Sequence, residues 1–142
     1  PVVLEIYTND DAQALHHVVE SAGCLGMVRV FPAVEYGRLK SVAVGWIAGI
    51  VLTRTQPGAK GEMTTKLFDY LGIGLPVIAV APDKFEIHEV VDQIAHSRSF
   101  FPEQAGELAE CLSSIELQRL SEDQVRPYTR QAILESSLGD FV

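Results

Sequence analysis

Thr64-Thr-Lys-Leu-Phe-Asp-Tyr-Leu-Gly-Ile-Gly-Leu-Pro-Val-Ile-Ala-Val-Ala-Pro82 reads as a short helix, a glycine stop and a buried strand. An apolar strand candidate at 50–53 precedes it, and a loop carrying Pro57, Gly58 and Gly61 joins the two. A helix therefore opens at the carboxyl end of a strand, where free backbone amides and the helix dipole receive anions. Leu67, Phe68 and Leu71 form the core face of this helix, Gly72 and Gly74 its stop and tight turn, and Pro76 the entry to the strand.

Outward from this stretch, strand-like runs alternate with segments of helical period. Residues 2–7 form the first strand candidate, and Thr8-Asn9-Asp10-Asp11 supplies turn and cap chemistry for a helix. Leu15, Val18, Val19 and Ala22 give that helix one apolar stripe, ended by Gly23. Strand 28–31 follows, stopped by Pro32, then helix 36–44 stopped by Gly45. Beyond the central helix (65–72) and strand (77–80) come a helix at 85–95, a short strand at 99–101, a helix at 105–115 and a closing helix at 125–137. Strands separated by helices of about ten residues imply parallel β-α-β crossovers. The expected class is α/β, a doubly wound, Rossmann-like parallel sheet with helices on both faces. The stretch 117–125 is the one linker-like segment, and residues 1–142 are read as a single domain.

Composition sets limits on function. A formal charge of −8 without a Lys/Arg cluster argues against a nucleic-acid partner, whose phosphates must be neutralised. No apolar stretch approaches the roughly 20 residues of a membrane helix. The first residues lack the pattern of a signal peptide, so a cytoplasmic chain is expected. Cys24 and Cys111 belong to no C-x-x-C pair and read as two buried free thiols. His16 and His17 are adjacent and cannot chelate together on a helix. His88 and His96 read as partly exposed helix histidines without partners, although His88 can reach the strand ends. No G-x-S-x-G or Cys/His signature offers nucleophilic hydrolysis, and no G-x-G-x-x-G follows the first strand.

The candidate site gathers at the start of the central helix. The Thr64 hydroxyl is placed to cap it, leaving amides near Thr65 for an anion, with Lys66 adding a full charge. Asp69 shares a face with Thr65 and is suited to accept hydrogen bonds from a ribose diol one turn past a phosphate. The same spacing also fits a surface ion pair between Lys66 and Asp69, worth at most about 1 kcal/mol. Arg54 and Lys60 lie in the loop at the same strand end, either facing a diphosphate or simply solvated.

The run Lys66-Leu-Phe-Asp-Tyr-Leu-Gly-Ile-Gly-Leu-Pro-Val-Ile-Ala resembles the K-L-F-E-Y-L-A-x-G-x-P-V-I-A signature of the donor-binding half of nucleotide-sugar glycosyltransferases of GT-B architecture, glycosyl transferases group 1. Leu4-Glu-Ile-Tyr is similar to that family's second strand and Val28-Arg-Val-Phe-Pro-Ala-Val to its third. The resemblance implies transfer of a sugar from a nucleoside diphosphate to an acceptor hydroxyl without a bound metal or other cofactor. Asp69 falls on the second glutamate of the family's E-x-x-x-x-x-x-x-E pair, the ribose ligand. The first falls on Gly61, so the carboxylate near the donor sugar is either shifted by one residue to Glu62, the catalytic candidate, or missing; Gly49 stands where the family often carries Asp. The family's first strand and helix, and an acceptor domain binding a glycan or lipid-linked glycan, have no counterpart in this chain. The expectation is therefore a fragment or remnant, inactive alone and prone to form a homodimer through an incomplete sheet. Any membrane attachment comes from outside the chain. The alternative is a non-catalytic module that uses that sheet edge for assembly.

Overall fold

A computed structural model describes residues 2–53, 65–82 and 86–129. The chain is α/β and divides into two compact units, Pro1–Gly45 and Trp46–Val142. In the first, β1 (Leu4–Thr8) and β2 (Val28–Pro32) pair in parallel, with Leu4 beside Val28 and Thr8 beside Pro32. Helix α1 (Ala12–Ser21) connects them, and α2 (Tyr36–Val42) follows, tightening into a 3-10 turn at Ala43–Gly45. The Asp11 carboxylate caps α1 by accepting from the amides of Gln13 (2.9 Å) and Ala14 (3.3 Å). Gly23, at φ +70°, closes it, with the amides of Gly23 and Cys24 donating to the carbonyls of Glu20 and Val19.

Alternation along the two strands puts Leu4, Ile6, Val28 and Val30 on one face and Glu5, Tyr7, Arg29 and Phe31 on the other. The Tyr7 and Phe31 rings stack at 5.0 Å, and the Tyr7 hydroxyl donates to Glu5 at 3.0 Å. Burial raises the Tyr7 phenol above its usual pKa, helped by that hydrogen bond and the charge of Glu5. Val19 and Ala43 are the buried apolar residues here, among those described. The predicted stripe on α1 is narrower than its spacing suggests: Leu15 is half-buried, whereas Val18 is 62% exposed. A ribbon of two strands about 4.8 Å apart accepts only part of the face of a helix some 10 Å across.

The second unit holds a parallel sheet in the order β3-β4-β5, built from β3 (Gly49–Leu52), β4 (Val77–Val80) and β5 (Arg98–Phe100). Helix α3 (Thr65–Gly72) lies between β3 and β4 in sequence, and α4 (Glu86–Val91) between β4 and β5. Helices α5 (Ala105–Ser114) and α6 (Glu122–Val125) follow. β4 is central and lacks polar residues, since both its edges are paired and Val77, Ile78 and Ala79 are buried. Leu67 and Leu71 of α3, Ile87 and Val91 of α4, and Val51 join it in the core.

Two local features fix α3. The amides of Gly74 and Leu75 donate to the carbonyls of Leu71 and Tyr70, and Gly74 holds φ +75°, so Gly74 forms the left-handed end while Gly72 remains helical. At the other side, a Cβ on Gly49 would lie 2.8 Å from Tyr70 Cδ1 and closer still to Cγ and Cδ2. The ring thus lies directly on the backbone of β3, which explains glycine at this position.

Several predicted elements change in extent. α4 ends at Val91 rather than 95, because the amides of Gln93 and Ile94 turn back to Val90 and Val91 and His96 takes φ +59°. Ser97 follows in the interior, where its hydroxyl accepts the Val77 amide at 2.9 Å. The segment 117–125 is no linker: the Leu120 amide donates to the Gly74 carbonyl, the Leu120 side chain enters the core, and Ser121 starts α6 with a capping box. The closing helix begins earlier, at Glu122, and tightens at Arg126–Tyr128; residues 130–142 lie outside the described residues. Cys24 and Cys111 are free but half-buried rather than buried. Among the described residues no helix is long and apolar enough to cross a membrane.

Candidate functional site

The sealed face of α3 orients the rest of the helix. Leu67 and Leu71 are buried and Tyr70 packs against the same core, so Thr65 and Lys66 stand exposed at the amino end. Asp69 is half-buried, one turn on and on Thr65's side of the helix. Lys66 and Asp69 are not joined by an ion pair although their spacing permits one; among the described residues the close i,i+3 contact is His17 Nδ1 with a Glu20 carboxylate oxygen, at 3.7 Å. Asp69 acts instead on its neighbour: burial raises the Tyr70 phenol above its usual pKa, and the Asp69 charge raises it further. Arg54, Lys60, Glu62 and Thr64 lie outside the described residues. Of the predicted set, the structure therefore brings Thr65, Lys66 and Asp69 together on α3.

The carboxyl ends of the strands carry polar groups that spacing does not single out. Thr53 extends β3, its amide donating to the Val80 carbonyl at 3.1 Å. Its hydroxyl oxygen is buried and, among the described residues, has no hydrogen-bond partner. Unpaired buried hydroxyls are uncommon, and this one sits where α/β sheets receive ligands.

His88 is the second such group, and the expectation of a partnerless histidine is overturned. Its Nδ1 lies 2.7 Å from Ser99 Oγ, and its Nε2 lies 3.2 Å from the Ala81 carbonyl and 3.3 Å from that of Pro82. The Ser99 hydroxyl is 3.0 Å from Asp92 Oδ2, and the Ser99 amide donates to Asp92 Oδ1 at 2.8 Å. The Phe101 ring meets the imidazole at 4.6 Å, tilted by 50°. Ser, His and Asp here do not form a nucleophilic triad. The carboxylate holds the serine instead of the imidazole, and Nε2 faces backbone carbonyls rather than a substrate. The available signal is the i,i+4 spacing of His88 and Asp92, which places both over the following strand.

A cleft of about 200 Å³ opens at the opposite ends of the strands, lined by Pro76, Ile78, His96, Arg98, Cys111 and Glu116 among others. It is an open depression at the amino ends of β4 and β5, away from the start of α3. Among the described residues no cluster of three His, Cys, Asp or Glu side chains is arranged to hold a metal ion. No family model, no curated protein and no solved structure matches the chain.

Proposed function

We propose that the chain is the donor-binding part of a metal-independent glycosyltransferase, binding a nucleoside-diphosphate sugar for transfer to an acceptor hydroxyl. The observation that carries the reading is the disposition of α3. Its apolar face is locked on the sheet, Thr65 and Lys66 stand open at its amino end, and Asp69 follows one turn later without an ion pair to Lys66. In this reading the first amides of α3 and Lys66 hold the diphosphate, and Asp69 accepts hydrogen bonds from the ribose diol. Fixed positive charge at the diphosphate lowers the barrier, because negative charge grows on the leaving oxygen. The roles that the sequence suggests for Arg54 and Lys60 as added cations, Thr64 as helix cap and Glu62 as the carboxylate near the sugar belong to the same reading. The unpaired Thr53 hydroxyl supports a polar ligand at this strand end.

The fold that belongs with this reading is a doubly wound Rossmann-like parallel sheet with helices on both faces. The acceptor, a glycan or lipid-linked glycan, is held by a separate domain, and the reaction is cytoplasmic. Calorimetric titration of the chain with UDP, GDP and ADP tests the site. Millimolar or tighter binding that disappears in Asp69→Ala supports it. Silence toward all three, or binding that survives Asp69→Ala, removes it.

A second reading, a non-catalytic assembly module, is favoured by one observation. In the first unit Val18, Met27, Tyr36 and Val44 are each more than half exposed. Sedimentation showing self-association together with nucleotide silence selects this reading over the first.

A further inference from the structure

We infer that His88, Ser99 and Asp92 form a proton-operated latch at the carboxyl ends of β4 and β5, closed when the imidazole carries protons on both ring nitrogens. The inference stands apart from the nucleotide reading, since it concerns the free protein.

Proton counting carries it. Nε2 faces two carbonyl oxygens, Ala81 at 3.2 Å and Pro82 at 3.3 Å, which only accept, so a hydrogen bond there requires a proton on Nε2. Ser99 has a single hydroxyl proton and two claimants: Asp92 Oδ2 at 3.0 Å and His88 Nδ1 at 2.7 Å. A carboxylate only accepts, so when Ser99 donates to Asp92 its oxygen is left to accept from Nδ1. Every contact is satisfied when the imidazole is protonated at both nitrogens. Removing one proton forces a loss. If Nε2 gives it up, a ring lone pair faces two carbonyls. If Nδ1 gives it up, Ser99 turns to the ring and its lone pairs face the Asp92 carboxylate at 3.0 Å.

The surroundings agree with this count. Asp92 is the ionisable group joined to His88, through Ser99. On α4 itself, Glu86 and Glu89 are exposed. β4 contributes only Val77–Val80. On β5, Arg98 alternates to the other side of the strand from Ser99 and lines the cleft at the opposite ends, as does His96. Phe101 presents its ring 4.6 Å from the imidazole, within the range at which an aromatic ring attracts a cation. The closed latch ties α4 to the peptide carbonyls just after β4 and, through Ser99, to β5. Opening it frees the Ala81 and Pro82 carbonyls at the carboxyl end of β4, the end of the sheet where ligands of such folds bind.

Nitrogen-detected NMR of the His88 ring, with amide exchange at Ser99, tests the latch on the full chain. With the latch closed, the wild-type ring is expected to carry both protons, one toward Ser99 and one toward the Ala81 and Pro82 carbonyls. In Asp92→Asn the new amide donates to Ser99, Ser99 donates to Nδ1, and the ring keeps one proton, on Nε2. The doubly protonated fraction is expected to fall at least threefold. His88→Gln retains a donor toward the carbonyls without titrating. It is expected to abolish the extra rise in Ser99 amide exchange, beyond the intrinsic base-catalysed increase, that wild type shows as the imidazole loses its proton. A ring with the same proton count in wild type and Asp92→Asn, or wild type and His88→Gln tracing one exchange profile, overturns the latch.

Discussion

Replacing Gly49 with alanine puts a methyl group where the Tyr70 ring lies. The added Cβ overlaps Cγ and Cδ2, the root of the ring, so no rotation of a flexible tip relieves the clash. Either α3 lifts from β3 or Tyr70 leaves its rotamer. Overpacking of this kind costs about 1–3 kcal/mol. The lost backbone freedom of glycine returns about 0.4–1 kcal/mol, so a net destabilisation of about 1–2 kcal/mol is expected. Tyr70→Ala alone removes a half-buried ring from the core and costs about 2 kcal/mol, less than the 3–5 kcal/mol of a fully buried aromatic. The double variant carries the cavity but no clash, so it should be no less stable than Tyr70→Ala alone. The coupling energy between the sites is then about 1–2 kcal/mol. Urea unfolding followed by the single tryptophan, Trp46, which opens the second unit, reads all four proteins. A Gly49→Ala midpoint that does not move, or two substitutions whose effects add, would refute the packing argument.

Other perturbations test the same unit. Ser97→Ala leaves the Val77 amide buried without its acceptor and should cost about 1–3 kcal/mol in urea unfolding; an unshifted midpoint means that another group takes that proton. Gly74→Ala forces a side chain into φ +75° and sets its Cβ 3.2 Å from the Leu120 carbonyl, so a loss of about 1–2 kcal/mol is expected, checked by thermal denaturation. Alkaline stability depends on Tyr70, whose folded-state pKa is raised by burial and then by Asp69. The unfolded phenol ionises first, so stability is undiminished below about pH 10 and falls as pH rises beyond it. Tyr70→Phe should flatten that alkaline decline relative to wild type, and an unchanged slope would exclude Tyr70 as its source.

The open start of α3 is legible in the sequence because a helix N-terminus, its charge and its core face are encoded within one or two turns. Thr65, Lys66 and Asp69 differ from Leu67 and Leu71 by position on a single helix, and helical period alone separates the two faces. His88 escapes such a reading because its partners come from elsewhere. Ser99 stands 11 residues away on β5, and the Ala81 and Pro82 carbonyls are backbone atoms that no residue pattern marks. Val18 escapes it for a related reason: a helix's period shows which residues are apolar, whereas the width of the sheet beneath decides how many are covered.

By itself the sequence determined the alternation of strands and helices, the glycine end at Gly23, cap chemistry within Thr8-Asn9-Asp10-Asp11 and the bounds of α3 and β4, all set by interactions within a few residues. Tertiary structure alone decided that Gly49 serves the Tyr70 ring, that Ser97 answers the Val77 amide 20 residues away, that Leu120 docks on Gly74, and that His88 is held between two strands. Those contacts join segments that meet only once parallel strands have paired, and pairing depends on burying β4 from both sides, a condition no single segment meets alone.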